Sequence, residues 1–330
     1  MHQAPQQRRT SASPFGLRDR NEAPQQRRGS ATPHIALATC ADVPPQFDDD
    51  ELLAEALRER GAEAEFVDWA EPGADWSSFD RVVIRSTWDY THRRGEFLGW
   101  ADSLGGRLRN QPAMVRWNND KRYVADLAEA GLPVVPTRYV EPGQPAGELE
   151  GEVAVKPTIS AGGRDTGRFG PAAHDAGRAL IERICASGRT AMVQPYLDRV
   201  DRDGETALVF VGGELGHVLA KRAVLAPDEV APVRDDALGA AEVMYDPTLV
   251  TIGDADSDEV ALGREILAHL GRRFGAEPLI ARVDLVRDES DSPVLLELEA
   301  VEPNLYLRQA PQTAELLADA VVAELRGDGA

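Results

Sequence analysis

The residues with the clearest chemistry lie near the C-terminus, in LIARVDLV (279–286) and VLLELEAVEPN (294–304). Alternate residues of an extended strand share a face. Arg282 and Asp284 therefore point one way, and Ala281, Val283 and Leu285 the other. In the second segment Glu297 and Glu299 share the polar face. A turn at 288–292 predicts a hairpin with Asp284 opposite Glu297, to within a residue of register. One face then gathers the carboxylates of Asp284, Glu297 and Glu299 with the Arg282 guanidinium. Like charges this close repel unless a cation sits among them, and hard oxygen ligands suit Mg²⁺. On this reading, neutralising one acid leaves the ligand-free melting temperature unchanged or raised. An ordinary solvated acidic face is the competing reading.

A second signal is AVKPTISAGGRDTG, residues 154–167. A strand delivers Lys156 into a Ser/Gly-rich loop whose backbone N–H groups can approach phosphate oxygens, because glycine has no Cβ to obstruct them. No GxxxxGK[ST] loop occurs in the chain. Lysine usage points to the same region: of 36 basic residues only Lys121, Lys156 and Lys221 are lysine. A compact ammonium differs from the planar fork of arginine, so these three positions are candidates for phosphate or substrate contact. The segment 193–197 (VQPYL) is a strand end able to present backbone groups to a flat base. No GxSxG, HExxH or justified Cys/His pair supplies a protein nucleophile.

These groups must be held by alternating elements. Strands at 34–39, 63–67 and 81–85, with a helix over 47–60 ended by Gly61, predict a parallel α/β sheet. Ligands gather at the carboxyl ends of such strands. Residues 85–90 sit there and offer a cation (Arg85), hydroxyls (Ser86, Thr87, Tyr90), an aromatic face (Trp88) and a carboxylate (Asp89). That set suits an amino-acid-like substrate, and a structural loop with a packing Trp88 is the plain alternative. Further on, the pattern predicts a helix over 119–130, a strand over 134–139, a helix over 174–187 and a strand over 190–194. A hairpin over 206–222 turns at Gly212-Gly213. A helix over 257–274 has apolar residues at helical spacing, and a last helix starts near 313. Residues 224–251 resist assignment.

With 330 residues, 42% hydrophobic, the chain has room for two or three compact units. A net charge of −20 argues against a nucleic-acid surface, and no apolar run is long enough to span a bilayer. Cys40 and Cys185 are too few for a disulfide framework. Residues 1–33 carry six Arg against two acids and repeat APQQRR, which reads as a disordered basic tail without a secretory signal. Cytoplasmic location is expected.

Lys121, Lys156 with its glycine loop, QPYL, Glu205 in GETALVFVGGE, and RVD with ELE occur in the order of the ATP-grasp superfamily. RSTWDY, WNNDK and ELEAVEPNLYL resemble the group that includes the cyclo-ligase of cycloserine biosynthesis. The resemblance covers about 34–326. It implies a parallel α/β domain over 34–117, a central nucleotide-binding subdomain over 118–197, and a C-terminal subdomain with the metal site over 198–330. ATP and Mg²⁺ are the implied cofactors. Lys121 and Lys156 are assigned to the nucleotide phosphates, and Ser160, Gly162 and Gly163 to a lid over them. Gln194, Tyr196 and Leu197 are assigned to adenine, the last two partly through backbone. Glu205 is assigned to the ribose, with Asp201 as a lesser substitute. Asp284, Glu297 and Glu299 are assigned to magnesium, Arg282 and Lys221 to catalysis, and Arg85–Tyr90 with Asn304 to the substrate. Many superfamily members carry E-x-N where this chain has Glu297-Leu298-Glu299, so the number of ions stays open. The implied activity is ligation of a small carboxylate, activated as its acyl phosphate, to an amine, with ring closure and a homodimer both open. A small-molecule kinase on the same fold and a non-catalytic ATP-binding protein are the alternatives.

Overall fold

A computed structural model describes residues 32–44, 49–235 and 238–327. The basic segment expected at 1–33 lies outside these, apart from its last two residues. The sheet nearest the N-terminus is four-stranded and parallel, in the order Glu63–Asp68, His34–Thr39, Arg81–Ser86, Leu108–Arg109. Its central strands are near-continuous apolar runs, as a sheet covered on both faces requires. A second, antiparallel sheet runs Val250–Ile252, Glu214–Lys221, Glu205–Val211, Ile280–Arg287, Pro293–Glu299. A third, also antiparallel, runs Glu229–Val230, Gly167–Phe169, Val153–Pro157, Ala191–Pro195, Arg138–Val140.

Helix Glu51–Glu59 turns Leu53, Ala54, Ala56 and Leu57 inward. They share a core with Leu317, Ala318, Val321 and Val322 of the last helix, Pro311–Gly327. Burying each leucine contributes about 2 kcal/mol. Arg60 closes this contact with Glu315 and Asp319, both at 2.6 Å. Helix Ser257–Phe274 occupies its expected span because both ends are specified. Asp256 and Glu259 form a reciprocal capping box, and Gly275 ends the helix at φ 82°. Gly212 and Gly213 both take positive φ, 55° and 83°, which a two-residue hairpin turn demands.

Several expectations need correction. The helix expected over 119–130 is two shorter ones, Pro112–Asn118 and Tyr123–Glu129. Between them Asp120 caps Arg122 N–H at 3.1 Å, and Lys121 N–H leaves the helix to reach Thr158 O at 2.8 Å. The strand expected over 134–139 is Arg138–Val140, because Val134 and Val135 instead pair with Leu295. Helix Arg94–Leu104 and strand Leu108–Arg109 were not expected at all. The helix expected from 47 begins at Glu51, and residues 47–48 lie outside the described ones. Among the described residues no helix is long and apolar enough to cross a membrane.

Candidate active site

The two antiparallel sheets wall a cavity of about 290 Å³. Its floor is the 280–299 hairpin. The observed register pairs Arg282 with Glu299 and Asp284 with Glu297. A bulge after Asp284 shifts the ladder there, and both Leu296 and Glu297 reach the cavity.

The charges on this floor form a closed set. Asp284 is only 1% exposed and lies beneath the cavity wall rather than on it. It accepts from Arg282 Nε and Nη2 at 2.8 and 2.9 Å and from Lys221 Nζ at 2.8 Å. Burial works to raise its pKa, yet Arg282 and Lys221 hold the carboxyl below its usual range. Lys221 also donates to Glu205 at 2.7 Å, and Arg282 to Glu299 at 2.5 Å. Glu297 stands between Lys121 at 3.2 Å and Lys156 at 3.5 Å. Against the effect of burial, those two lysines and then Lys221 pull it well below the ordinary carboxylate range. Glu299 goes the other way. Burial, with Asp284 and Glu297 adding to it, pushes its carboxyl up to about 7 despite the contact with Arg282.

The expected trio of metal ligands is thus not assembled as a trio. Among the described residues no three His, Cys, Asp or Glu side chains converge in metal-binding geometry. Asp284 is instead paired with Lys221 and Arg282 beneath the wall. Glu297 and Glu299, alternate residues of one strand, still present hard oxygen donors to the cavity. Two carboxylates on alternate residues facing one cavity fit a divalent cation by the hardness of their oxygen donors.

The glycine loop forms the roof. Lys121 Nζ donates to Ser160 O at 2.8 Å, tying the loop to the charged floor. Gly162 and Gly163 have φ of 63° and 71°. A Cβ on Gly162 would meet Ala240 Cβ at 2.7 Å, and one on Gly163 would meet Ala241 Cβ at 3.3 Å. The 224–251 segment is therefore the loop's partner. Ala241 N–H donates to Gly162 O at 2.7 Å and Ala231 N–H to Thr166 O at 2.8 Å. Arg164 crosses to Leu238 O at 2.8 Å and to His92 Nε2 at 2.9 Å. Burial lowers the affinity of both Arg164 and His92 for their protons, and Arg164 adds to the effect on His92.

One end of the cavity is apolar, lined by Val135, Leu197, Val286 and Leu296, with Gln194 beside them. Gln194 donates to Thr137 Oγ1 at 2.9 Å. Tyr196 N–H is bonded to Glu152 O and Leu197 O accepts from Val200 N–H, while Tyr196 O and Leu197 N–H make no such bond among the described residues. The Tyr196 ring lies under the Arg168 guanidinium at 3.6 Å, and its hydroxyl donates to Asp201 at 2.7 Å. Asp201 is thereby held by Arg168 and Tyr196, away from the lining, whereas Glu205 is on it.

At the other end the expected 85–90 set divides. Trp88 and Tyr90 line the cavity, with Asn304 and Tyr306. Arg85, Ser86, Thr87 and Asp89 do not. Arg85 is buried against Asp50 at 2.8 Å, and Ser86 Oγ bonds Thr39 Oγ1 at 2.8 Å. Thr87 is fully buried, and Asp89 accepts from Trp69 Nε1 at 2.7 Å and pairs with Arg93 at 2.9 Å. These four are scaffold for the two aromatic rings. Sequence reasoning passed over Glu302 and Arg164, both of which line the cavity. Glu302 was hidden because the strand ends at Glu299 and its alternation no longer applies. The lone cation inside SAGGRDTG was the available signal for Arg164.

This arrangement can bind a triphosphate between Lys121, Lys156 and the glycine roof and hold a carboxylate next to Arg282. Comparison with known proteins agrees in kind. Residues 35–110 match the family described as D-cycloserine synthetase DcsG, N-terminal domain. The cycloserine biosynthesis protein DcsG of Streptomyces lavendulae is 37% identical over 309 residues, 88% of this chain and 99% of that protein. A glutathione synthetase of Ralstonia nicotianae is 30% identical over 145 residues, 43% of this chain and 42% of that protein. The crystal structure of D-cycloserine synthetase DcsG superposes with a TM-score of 0.79 at 34% identity, covering 88% of this chain and 99% of that one. A RimK domain ATP-grasp protein from Sphaerobacter thermophilus shares the fold, with a TM-score of 0.59 at 19% identity over 88% of this chain and 99% of that one. The chain belongs to the ATP-grasp carbon–nitrogen ligases, in the family of the cycloserine biosynthesis protein DcsG.

Proposed function

We propose that the chain uses ATP to activate a small, amino-acid-like carboxylate as its acyl phosphate, which an amine or similar nucleophile then attacks to form an amide-type bond. The attack can be intramolecular, as the likeness to a cycloserine biosynthesis protein suggests. One observation carries the reading. Lys121 and Lys156 converge on Glu297, with Arg282 and Lys221 behind it, under a glycine roof and with no Cys or His among the described lining residues.

In this reading the apolar end with Gln194, Tyr196 O and Leu197 N–H takes the adenine, and Glu205 the ribose. Lys121, Lys156 and the backbone donors of Ser160, Gly162 and Gly163 hold the phosphates. Glu297 and Glu299 would hold Mg²⁺, which when bound neutralises charge on the phosphate oxygens. The substrate lies between Trp88, Tyr90 and Asn304. Its carboxylate oxygen attacks the γ-phosphorus, a new O–P bond forms, and the bond to the β-phosphate oxygen breaks to leave ADP. Arg282 faces the charge that develops, and Lys221 keeps it oriented through Asp284. The nucleophile then attacks the acyl carbon, the C–O bond breaks, and phosphate departs. The nucleophile's proton is lost to solvent. The reaction needs one chain and small soluble substrates, consistent with a cytoplasmic enzyme.

The test is release of ADP and phosphate against a panel of amino acids and amines. Equal amounts of ADP and free phosphate, dependent on an acid substrate, are expected. ADP without free phosphate, accompanied by a stable phosphorylated product, would instead identify a kinase.

A further inference from the structure

The carboxylates on the cavity wall differ in one respect. Glu205 meets Lys221 at 2.7 Å, Glu297 meets Lys121 at 3.2 Å, and Glu299 meets Arg282 at 2.5 Å. Glu302, on the same wall, makes no ion pair among the described residues. Lys121 influences it only from a distance, since that ammonium is held by Ser160 O and Glu297.

Glu302 is nevertheless held firmly. The Trp88 indole N–H donates to its backbone carbonyl at 3.2 Å. The Tyr90 ring lines the cavity with it, is 4% exposed and is stacked on Phe97 at 4.6 Å. Glu302 is thus anchored through its main chain beside Trp88 and Tyr90, at the end of the cavity away from the apolar slot. Burial, with Glu299 adding to it, pushes the carboxyl up to about 8. A desolvated carboxylate with no counter-cation is unfavourable, and a ligand that brings the missing cation removes the penalty. Main-chain packing alone gives no reason for an acid here, because Gln would satisfy the same hydrogen bonds.

We propose that Glu302 is a specificity-determining residue that receives the ammonium group of the substrate, so that the chain selects acids carrying a free primary amine over their hydroxy or desamino counterparts. This rests on the proposed ligase reading and extends it to one residue. Charge-assisted hydrogen bonds of this kind correspond to roughly 10- to 100-fold in binding. Trp88 and Tyr90 add an aromatic wall that favours a cation over a neutral group.

The experiment measures ATP-dependent ADP release with serine and alanine derivatives of both configurations. Each is paired with its 2-hydroxy counterpart, such as glycerate or lactate, and tested with wild type, Glu302→Gln and Glu302→Asp. Wild type is expected to prefer the amino acid of the best pair by about 30-fold in kcat/KM. Glu302→Gln should lose that preference, mainly through a raised KM for the amino acid, so that the two members of the pair converge. Glu302→Asp should recover part of it. An unchanged melting temperature and ATP-induced thermal shift show that each variant is folded. Preference retained in Glu302→Gln overturns the proposal while leaving the ligase reading intact. So does an equal loss for both members of the pair with altered Mg²⁺ dependence, which would make Glu302 a metal ligand. If wild type releases no ADP with any acid of the panel, the ligase reading itself fails and the proposal with it.

Discussion

Replacing Asp284 by Asn separates two accounts of the acidic hairpin. Viewed as a cluster of like charges, loss of one acid relieves repulsion and the melting temperature holds or rises. The structure supports the opposite. Asp284 is buried at 1% exposure and accepts three hydrogen bonds from two cations, Arg282 and Lys221. Removing one member of a buried ion pair destabilises by about 3–5 kcal/mol, because a desolvated charge is left behind. Here both cations keep a second partner, Lys221 with Glu205 and Arg282 with Glu299, so a loss at or below the bottom of that range, about 2–3 kcal/mol, is expected. For a chain of this size each kcal/mol shifts the midpoint by about 2 °C, so the drop should be roughly 4–6 °C. Calorimetry without nucleotide or metal measures it. Glu297→Gln is the internal control: its side chain is 26% exposed and its lysine contacts are longer, 3.2 and 3.5 Å. It should move the midpoint by about 2 °C or less while also removing most activity. A midpoint for Asp284→Asn that is unchanged or raised would refute the assignment of Asp284 as a counter-charge for Arg282 and Lys221.

Gly162→Ala should raise KM for ATP by about 10-fold or more. The left-handed φ alone costs roughly 1–2 kcal/mol, and the new Cβ would sit 2.7 Å from Ala240 Cβ. Gly163→Ala, with a 3.3 Å approach, should be milder in the same steady-state assay, and equal effects would remove the loop-to-loop contact as the cause. His217, buried and bonded through Nδ1 to Thr313 Oγ1 at 2.8 Å, has its imidazole pushed down to about 4 by burial. Its folded pKa lies below the unfolded value of about 6.5, so its contribution is complete above that pH and falls as pH drops towards 4. By pH 5 the loss relative to neutral pH is about 2 kcal/mol, and His217→Gln should show a correspondingly flatter stability profile between pH 7.5 and 5. Parallel profiles for the two proteins would show that His217 does not titrate between folded and unfolded states.

Period-two alternation made the hairpin readable: Arg282 opposite Glu299 and Asp284 opposite Glu297 follow from which residues share a strand face. Helix Ser257–Phe274 was readable because Asp256, Glu259 and Gly275 mark its ends locally. What lay beyond the sequence was set by distant partners. Nothing near Arg85 indicates that its charge is matched by Asp50, so a buried structural arginine looked like a substrate group. Val134 and Val135 are drawn out of their expected strand by Leu295. Residues 224–251 show no period because their strand pieces, Glu229–Val230 and the start of Val250–Ile252, are short and are held by distant strands, with further hydrogen bonds to the glycine loop. That Asp284, Glu297 and Glu299 lie on one strand face was legible, but the pairing of Asp284 with Lys221 and Arg282 depends on side-chain geometry that periodicity does not contain.

The central claim is stepwise ligation through an acyl phosphate, and hydroxylamine trapping tests it most directly. The acid substrate with ATP and Mg²⁺, but no amine, should accumulate an activated carboxyl that hydroxylamine converts to a hydroxamate. Lys156→Arg should suppress the yield strongly, because a planar guanidinium cannot occupy the ammonium's place beside Glu297 and under the roof without displacing the phosphates. No hydroxamate from a substrate that supports ADP and phosphate release would contradict the acyl-phosphate route. A yield unaffected by Lys156→Arg would remove Lys156 from the phosphate site.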